Sequence, residues 1–145
     1  MRHLSVLALS ALIFTACGDV VTSIDSTKAH AEAEGSIARG WLPEILPNSS
    51  ISIKTQNNLD LNTSEASFTF RPEEWPSFAA HLEELSQVEA PFQSWLGTVQ
   101  QYRSAGFVAR SYRKDQEQWV FFCKPTEGRC ESFTWMLRTT PAPAR

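Results

Sequence analysis

The sequence predicts an α+β fold: a mostly antiparallel sheet of about five strands, with helices packed on one face. Apolar residues alternate with period two in several short segments, which is typical of strands with one buried face. Two other segments carry an apolar stripe at helical spacing. Turn-forming residues separate these segments at short intervals, so neighbouring strands can pair antiparallel. We expect one domain over residues 25–138.

The N-terminal segment has the pattern of a secretory signal. A basic start is followed by eleven mainly apolar residues, Leu4 to Phe14, and by small residues before Cys17. Eleven apolar residues are too few to span a bilayer as a helix. The sequence therefore predicts a signal peptide over 1–16 that is removed, followed by a short tether over 17–24.

The end of this segment, Phe14-Thr15-Ala16-Cys17, resembles the lipobox of bacterial lipoproteins, with Phe14 where Leu is usual. The resemblance implies cleavage before Cys17, a diacylglyceryl thioether on its sulfur, and often a third acyl chain such as palmitate. Two or three acyl chains hold a protein firmly on a membrane, whereas one binds only marginally. We expect a lipid-anchored protein of the bacterial cell envelope that faces the periplasm. The alternative is plain secretion.

Two cysteines, Cys123 and Cys130, remain once Cys17 is assigned to lipid. An oxidising compartment favours a disulfide between them, and such a short loop contributes roughly 2.5 kcal/mol of stability. A zinc site would lack half of its tetrahedral ligands, and a redox pair usually has the Cys-x-x-Cys spacing. We predict a structural disulfide.

The charge pattern argues against a nucleic-acid partner. The net charge is −3, and no strong basic excess favours binding to phosphates. The basic side chains are concentrated in the C-terminal third, residues 101–145. This basic surface complements the acidic segments of the folded domain, or it contacts anionic lipid, cell-wall polymer or an acidic protein.

The first helix is predicted from Ser26, an acceptable N-cap, to Arg39, and Gly40 is placed to end it. Four large apolar side chains then lie between residues 41 and 46, where two prolines prevent a long helix. We expect a buried packing corner here because its exposure would leave much apolar surface in water. The alternative is an exposed hydrophobic docking patch.

A hairpin is predicted next, with strands at Ile51–Thr55 and Phe68–Phe70 and a polar loop between them. Asp60 and Asn62 in this loop share a two-residue spacing with calcium loops. The carboxylates that would complete a calcium site are missing, so the pair is interpreted as turn capping.

Residues 39–70 resemble a family of small uncharacterised bacterial envelope lipoproteins. The family shows an Arg-Gly-Trp-x-Pro-x-x-x-Pro run, an Ile-containing strand, an Asp-Thr-Asn turn and a Phe-x-Phe strand. The matching residues are the run Arg39-Gly-Trp-Leu-Pro-Glu-Ile-Leu-Pro47, then Ser50, Ile51, Asn58-Leu-Asp60, Asn62 and Phe68-Thr-Phe70. Leu61 stands where Thr is usual. The resemblance implies an envelope location and supplies no activity.

Two further helices are predicted from apolar stripes. The first stripe is Trp75, Phe78, Leu82 and Leu85, and the second is Phe92, Trp95, Leu96, Val99 and Tyr102. Pro76 and Pro91 suit the first turns of these helices, and Gly106 follows the second as a stop.

Three strands complete the prediction, at Phe107–Arg113, Glu117–Cys123 and Cys130–Arg138, before a loose tail over 139–145. If Cys123 lies opposite Cys130, Val120 faces Phe133 and the hairpin is apolar on both sides. One side then presents Val120, Phe122, Phe133, Trp135 and Leu137, and the other presents Trp119, Phe121 and Met136.

The second side is the candidate binding surface. The first helix and the corner at 41–46 cover it, or it is open to a partner, and we expect partial cover with an open margin. Arg110 and Tyr112 share a face of the neighbouring strand and would extend the surface, since Arg and Tyr are enriched where proteins bind one another. The predicted surface comprises Trp119, Phe121, Met136, Arg110 and Tyr112.

Catalytic motifs are sparse. His30 and His81 are not in a His-Glu-x-x-His spacing, and no Gly-x-Ser-x-Gly elbow or phosphate loop occurs. His81 with Glu84 could form part of a metal corner, although a solvated helix face explains both residues. We expect no enzyme activity and no cofactor. The sequence favours a binding or accessory module, for example an immunity-type lipoprotein, for another envelope macromolecule; a small envelope hydrolase is the alternative.

Overall fold

A computed structural model describes residues 18–86 and 90–138. This part of the chain forms one seven-stranded antiparallel sheet with the order β1-β2-β3-β7-β6-β5-β4. The strands are β1 Val20–Thr27, β2 Ile51–Asn58, β3 Thr63–Thr69, β4 Glu83–Glu84, β5 Val108–Lys114, β6 Glu117–Lys124 and β7 Arg129–Met136. The helices are α1 Lys28–Ala33, α2 Trp75–Ala79 and α3 Trp95–Ser104. The predicted signal peptide, the acylated Cys17 and the tail lie outside the described residues.

The predicted fold class is wrong in two respects. The sheet has seven strands and not five, and the few helices are short and lie on both faces instead of one. One extra strand is β1, which takes up residues 20–24 of the predicted tether and pairs along β2. The other is β4, which pairs with β5 at the opposite edge.

Each predicted helix is shorter than its sequence pattern suggested. α1 is capped by Thr27, whose hydroxyl accepts from the His30 N–H at 3.1 Å, and it ends at Ala33. Gly35 then adopts a φ of +81°, which stops the helix well before Arg39. α2 ends at Ala79 because the chain beyond it extends to form β4.

One face of the sheet, here called the Phe68 face, is covered by α1, the corner at 41–46 and α2. Their contacts form one apolar cluster with the sheet. Phe78 of α2 packs edge-on against Phe121 of β6, with ring centroids 5.3 Å apart. The buried apolar side chains of this cluster are Ala31, Leu42, Leu46, Ile53, Ala66, Phe68, Phe70, Phe78, Trp119, Phe121, Cys123 and Cys130.

The opposite face, here called the Val120 face, is covered only in part. α3 packs over β5, β6 and β7, and Trp95 lies 5.5 Å from Trp135 between ring centroids. The buried members of this second cluster are Trp95, Val99, Ala109, Val120, Phe122 and Trp135. The chain crosses from one face to the other around β4, so Leu82 joins the first cluster and Leu85 joins the second.

The predicted hairpin of β6 and β7 is confirmed in register. Cys123 lies opposite Cys130, and Val120 lies opposite Phe133. The two cysteines form a disulfide with Cα atoms 4.1 Å apart, and both are buried. Residues 118–123 of β6 are all buried, because β6 is a central strand with an apolar cluster on each face.

The sheet consists of two consecutive meanders. β1, β2 and β3 pair in sequence order, and so do β5, β6 and β7. The ladder between β3 and β7 joins the two meanders, with Thr63 opposite Trp135 and Thr69 opposite Arg129. Among the described strands, only this ladder pairs two that are not consecutive in the sequence.

Candidate functional site

The binding surface predicted from the aromatic hairpin is mostly buried. Trp119 is 1% exposed and Phe121 is 0% exposed, because the corner residues Leu42 and Leu46 and the ring of Phe78 pack in the same cluster. These two aromatic residues cannot contact a partner from the folded state. α1, α2 and the corner therefore cover Trp119 and Phe121 on this side of the hairpin, and Met136 stays exposed at its margin.

The other predicted surface residues lie in separate environments. Tyr112 is half-buried with its ring centroid 5.5 Å from that of Trp119, and Arg110 is half-buried opposite Phe121. Met136 is 42% exposed at the end of β7, opposite Glu117. The five residues do not form a continuous exposed patch.

The structure instead exposes half of the Val120 face. Over β1, β2 and β3 no helix of the described chain covers this side, and the side chains that point to it are exposed. We call this surface the open shelf. It consists of Thr22, Ile24, Lys54, Gln56, Glu65 and Ser67, which share one face by strand register.

An aromatic wall borders the open shelf where α3 begins to cover the sheet. Phe92, Tyr102 and Phe133 form this wall, and Phe133 lies opposite Glu65 in the ladder between β3 and β7. The ring of Tyr102 stacks on Phe122 with centroids 4.1 Å apart. The wall is therefore fixed by the second apolar cluster.

The hydroxyl of Tyr102 donates a hydrogen bond to the carboxylate of Glu131. Burial, followed by this hydrogen bond and the negative charge of Glu131, raises the pKa of Tyr102 above its ordinary value. The phenol therefore stays neutral and continues to donate at physiological pH. This bond holds the Glu131 carboxylate beside the open shelf.

Three concavities meet along the wall, and Glu65 lines all of them. Their volumes are about 190, 290 and 560 Å³. The floor is polar, with Lys54, Gln56 and Glu65, and the wall is aromatic, with Phe92 and Tyr102. Such a surface can hold a partner by hydrogen bonds, charge and ring contacts together.

The predicted histidines do not form a metal centre in the described part of the chain. There, no group of three or more His, Cys, Asp or Glu side chains is arranged to hold a metal ion. Nδ1 of His30 lies 2.8 Å from Oδ1 of the buried Asp25, away from the open shelf. His81 is exposed beyond α2. Neither histidine lines the concavities at the shelf.

The sequence carries a signal for the open shelf that the prediction did not use. In β2 and β3 the residues facing the shelf are polar, Lys54 and Gln56 on one strand and Glu65 and Ser67 on the other. Strict alternation of this kind indicates one solvated face. The adjacent wall could not be located, because the apolar stripe of Phe92, Trp95 and Tyr102 does not say how far α3 reaches across the sheet.

Among the residues that the structure describes, no helix has the length and apolar character needed to cross a membrane. Residues 19–69 match the family model of the YbbD head domain, which indicates a relation to a bacterial family. The matched residues span the first meander, from the start of β1 at Val20 to the end of β3 at Thr69. No curated protein and no solved structure matches the chain significantly.

Proposed function

We propose that this chain, with an N-terminal part similar to the YbbD head domain, is a lipid-anchored bacterial envelope protein that acts as a binding or accessory module. In this proposal the open shelf and its aromatic wall bind another envelope macromolecule, for example as an immunity-type protein that blocks its target. The observation that carries the proposal is the uncovered half of the Val120 face.

The chemistry of the shelf supports a macromolecular partner more than a small substrate. The three concavities are shallow neighbours along one surface, they share Glu65, and no histidine lines any of them. Aromatic residues are enriched at protein interfaces because they supply rigid contact area at low entropic cost. Lys54 and Glu65 add opposite charges that can fix the register of a partner.

The envelope location rests on the sequence pattern before Cys17. Acylation of Cys17 predicts that the protein partitions into the detergent phase and that Cys17→Ser releases it. A Cys17→Ser variant that stays with lipid overturns the anchor. Intact mass spectrometry of the membrane fraction gives the acylation state directly.

The binding role is tested by site-specific photo-crosslinking in producing cells. A photoreactive residue replacing Gln56, on the open shelf, should crosslink to one discrete partner. The same residue replacing Ser77, exposed on α2 over the other face, should not. Glu65→Lys should abolish the crosslink from position 56, whereas the matched exposed substitution Glu73→Lys should leave it intact. Equal crosslinking from both positions, or none from position 56, contradicts the proposal.

A further inference from the structure

Exposed apolar side chains are concentrated at one end of the sheet. We call this group the apolar tip. It consists of Val20, Val21, Leu59, Leu61 and Met136. Leu61 is 69% exposed, and none of the five belongs to either apolar cluster of the described chain. A polar residue at position 61 would lose no contact with either apolar cluster. Packing within the domain therefore does not account for a leucine at this position.

Contacts between strands and turns bring the members of the apolar tip together. Val20 starts β1 opposite Asn58, and the Leu59 N–H donates to the carbonyl of Asp19 at 3.0 Å. Val20 and Leu61 line one concavity. Leu59 and Met136 line another, which Trp41 also borders.

The turn between β2 and β3 is built to point its leucines outward. The side chain of Asn58 accepts a hydrogen bond from the Leu61 N–H at 3.0 Å, and Asn62 adopts a φ of +51°. Asn tolerates this left-handed conformation better than most residues. The backbone of the turn is thus stabilised by polar contacts, and the two leucines do not contribute a core.

The apolar tip lies at the same end of the molecule as the predicted anchor. Val20 is three positions after Cys17, with only Gly18 and Asp19 between them, so even a fully extended connection spans no more than about 10 Å. The Val20 N–H also donates to the carbonyl of Gly18 at 2.8 Å, which turns the chain locally. Acyl chains on Cys17 would hold the tip at the surface of the membrane.

We propose that the apolar tip inserts between lipid headgroups beside the acyl anchor and thereby sets the orientation of the domain on the membrane. This inference rests on the proposed acylation of Cys17. Asp19 and Asp60 lie at this end together with Arg39, so the contact cannot depend on a positive surface. Burial of apolar side chains drives it, and the contact is insensitive to salt.

The orientation has a consequence for the open shelf. The strands lead away from the tip, so a tip held in the headgroup region places the sheet upright on the membrane. The open shelf then stands perpendicular to the membrane surface and faces sideways. A partner embedded in or attached to the same membrane could then reach Glu65 and Tyr102 without displacing the domain.

The test uses an environment-sensitive NBD fluorophore on a single introduced cysteine. If Cys17 is acylated as proposed, and because Cys123 and Cys130 are paired, Leu61→Cys supplies one reactive thiol in the membrane-extracted protein. The matched control is Ile51→Cys, which is 49% exposed at the start of β2, the opposite end of that strand from the tip. Both labelled proteins are reconstituted into phosphatidylcholine vesicles, and intact mass gives the acylation state of each.

We expect NBD emission at position 61 to rise several-fold and shift to the blue on reconstitution, with no change at position 51 and no dependence on salt. A double variant in which Leu59 and Val20 are both changed to Asn should lose this rise in emission. In an acylated protein, equal aqueous emission at both positions overturns the tip contact and leaves the anchor standing. An unacylated protein overturns the anchor, and position 61 is then labelled in a Cys17→Ser background, where it is again the one free thiol. If position 61 responds to added vesicles the tip contact stands, and if it stays aqueous both fail.

Discussion

The carboxylate of Glu117 occupies the space beside the Cα of Gly40 where any other residue would place its Cβ. A Cβ built on Gly40 would lie 1.8 Å from Oε1 of Glu117, and the φ of Gly40 is +76°. The carboxylate of Glu117 is partly buried at this contact, and this loss of solvation raises its pKa. The contact explains why the Arg-Gly-Trp run contains glycine: the position needs both a left-handed backbone and the absence of a side chain.

The first prediction is that Gly40→Ala destabilises the protein by about 1–2 kcal/mol, the cost of a left-handed backbone for an L-residue. The new Cβ also displaces the carboxylate of Glu117, the end of a flexible side chain that can move aside. Chemical denaturation monitored by tryptophan fluorescence measures the change.

Gly97→Ala is the matched control for Gly40→Ala. Gly97 lies within α3, and a Cβ there has no heavy atom within 4 Å. The substitution should stabilise the protein by about 0.5–1 kcal/mol, because Gly is a poor helix former. Equal effects of the two substitutions would contradict the steric account of Gly40.

The second prediction concerns ionisation of the two tyrosines. Burial is the first cause that raises the pKa of Tyr102 and of Tyr112, and the carboxylates of Glu131 and Glu44 add to it respectively. In the native protein the absorbance change of tyrosinate should occur above pH 10, whereas in denaturant it should occur near the ordinary pKa of about 10.

The raised pKa values of the two tyrosines also determine how the free energy of unfolding changes with pH. Each phenol has a folded pKa above its unfolded pKa, so the stability that it contributes is fully present below about pH 10. That stability declines as the pH rises from there toward the folded pKa. Tyr112→Phe isolates Tyr102, which should keep its raised titration. A native Tyr102 that titrates at the denatured pKa would contradict its hydrogen bond to Glu131.

The third prediction is that reduction of the Cys123–Cys130 disulfide lowers the free energy of unfolding by about 2.5 kcal/mol, the chain-entropy value for so short a loop. The disulfide bridges directly opposed residues of β6 and β7. Urea unfolding with and without reducing agent measures the difference. A double Cys→Ala variant should be insensitive to reductant, and an unchanged midpoint for the reduced wild type would rule out a stabilising role.

The fourth prediction concerns Asp25, a carboxylate that is 1% exposed within the first meander. It accepts a hydrogen bond from Ser36 Oγ at 3.1 Å and contacts Nδ1 of His30 at 2.8 Å. Asp25→Ala leaves the buried Ser36 hydroxyl without this partner and should cost about 1–3 kcal/mol. Asp60→Ala, in the exposed turn, should change the stability by less than about 0.5 kcal/mol. A loss no larger for Asp25→Ala than for Asp60→Ala would contradict a stabilising role for these contacts.

The pairing of β6 with β7 was predictable because several local signals agree. Two cysteines seven positions apart fix the register, the turn at Pro125 and Gly128 fixes the loop, and the aromatic residues alternate between faces. The strand β1 was not predictable in the same way. Its exposed Val20, Thr22 and Ile24 resemble a tether, since only Asp25 of this strand is buried, and its pairing partner lies beyond α1 and the corner.

The open shelf could not be predicted because the burial of a strand residue depends on which distant segments pack on each face of the sheet. Trp119 and Phe121 have the composition of an interface, but Leu42 and Phe78 cover them from distant parts of the sequence. Local periodicity describes a strand's two faces without stating what lies over them. The open shelf follows from the opposite fact, that the cover on the Val120 face ends at Phe92, which precedes α3, and at Tyr102 within α3.

The ladder between β3 and β7 pairs strands that are not consecutive in the sequence, and this has a consequence for how the protein folds. The hairpins β2–β3, β5–β6 and β6–β7 are closed by short connections and can form quickly, whereas the ladder between β3 and β7 must close the longest loop of the described sheet. We expect this closure to limit the folding rate. Until it occurs, β3 and β7 expose hydrogen-bonding edges beside the apolar rings of Phe68 and Phe133, and the intermediate is prone to associate with other copies of itself.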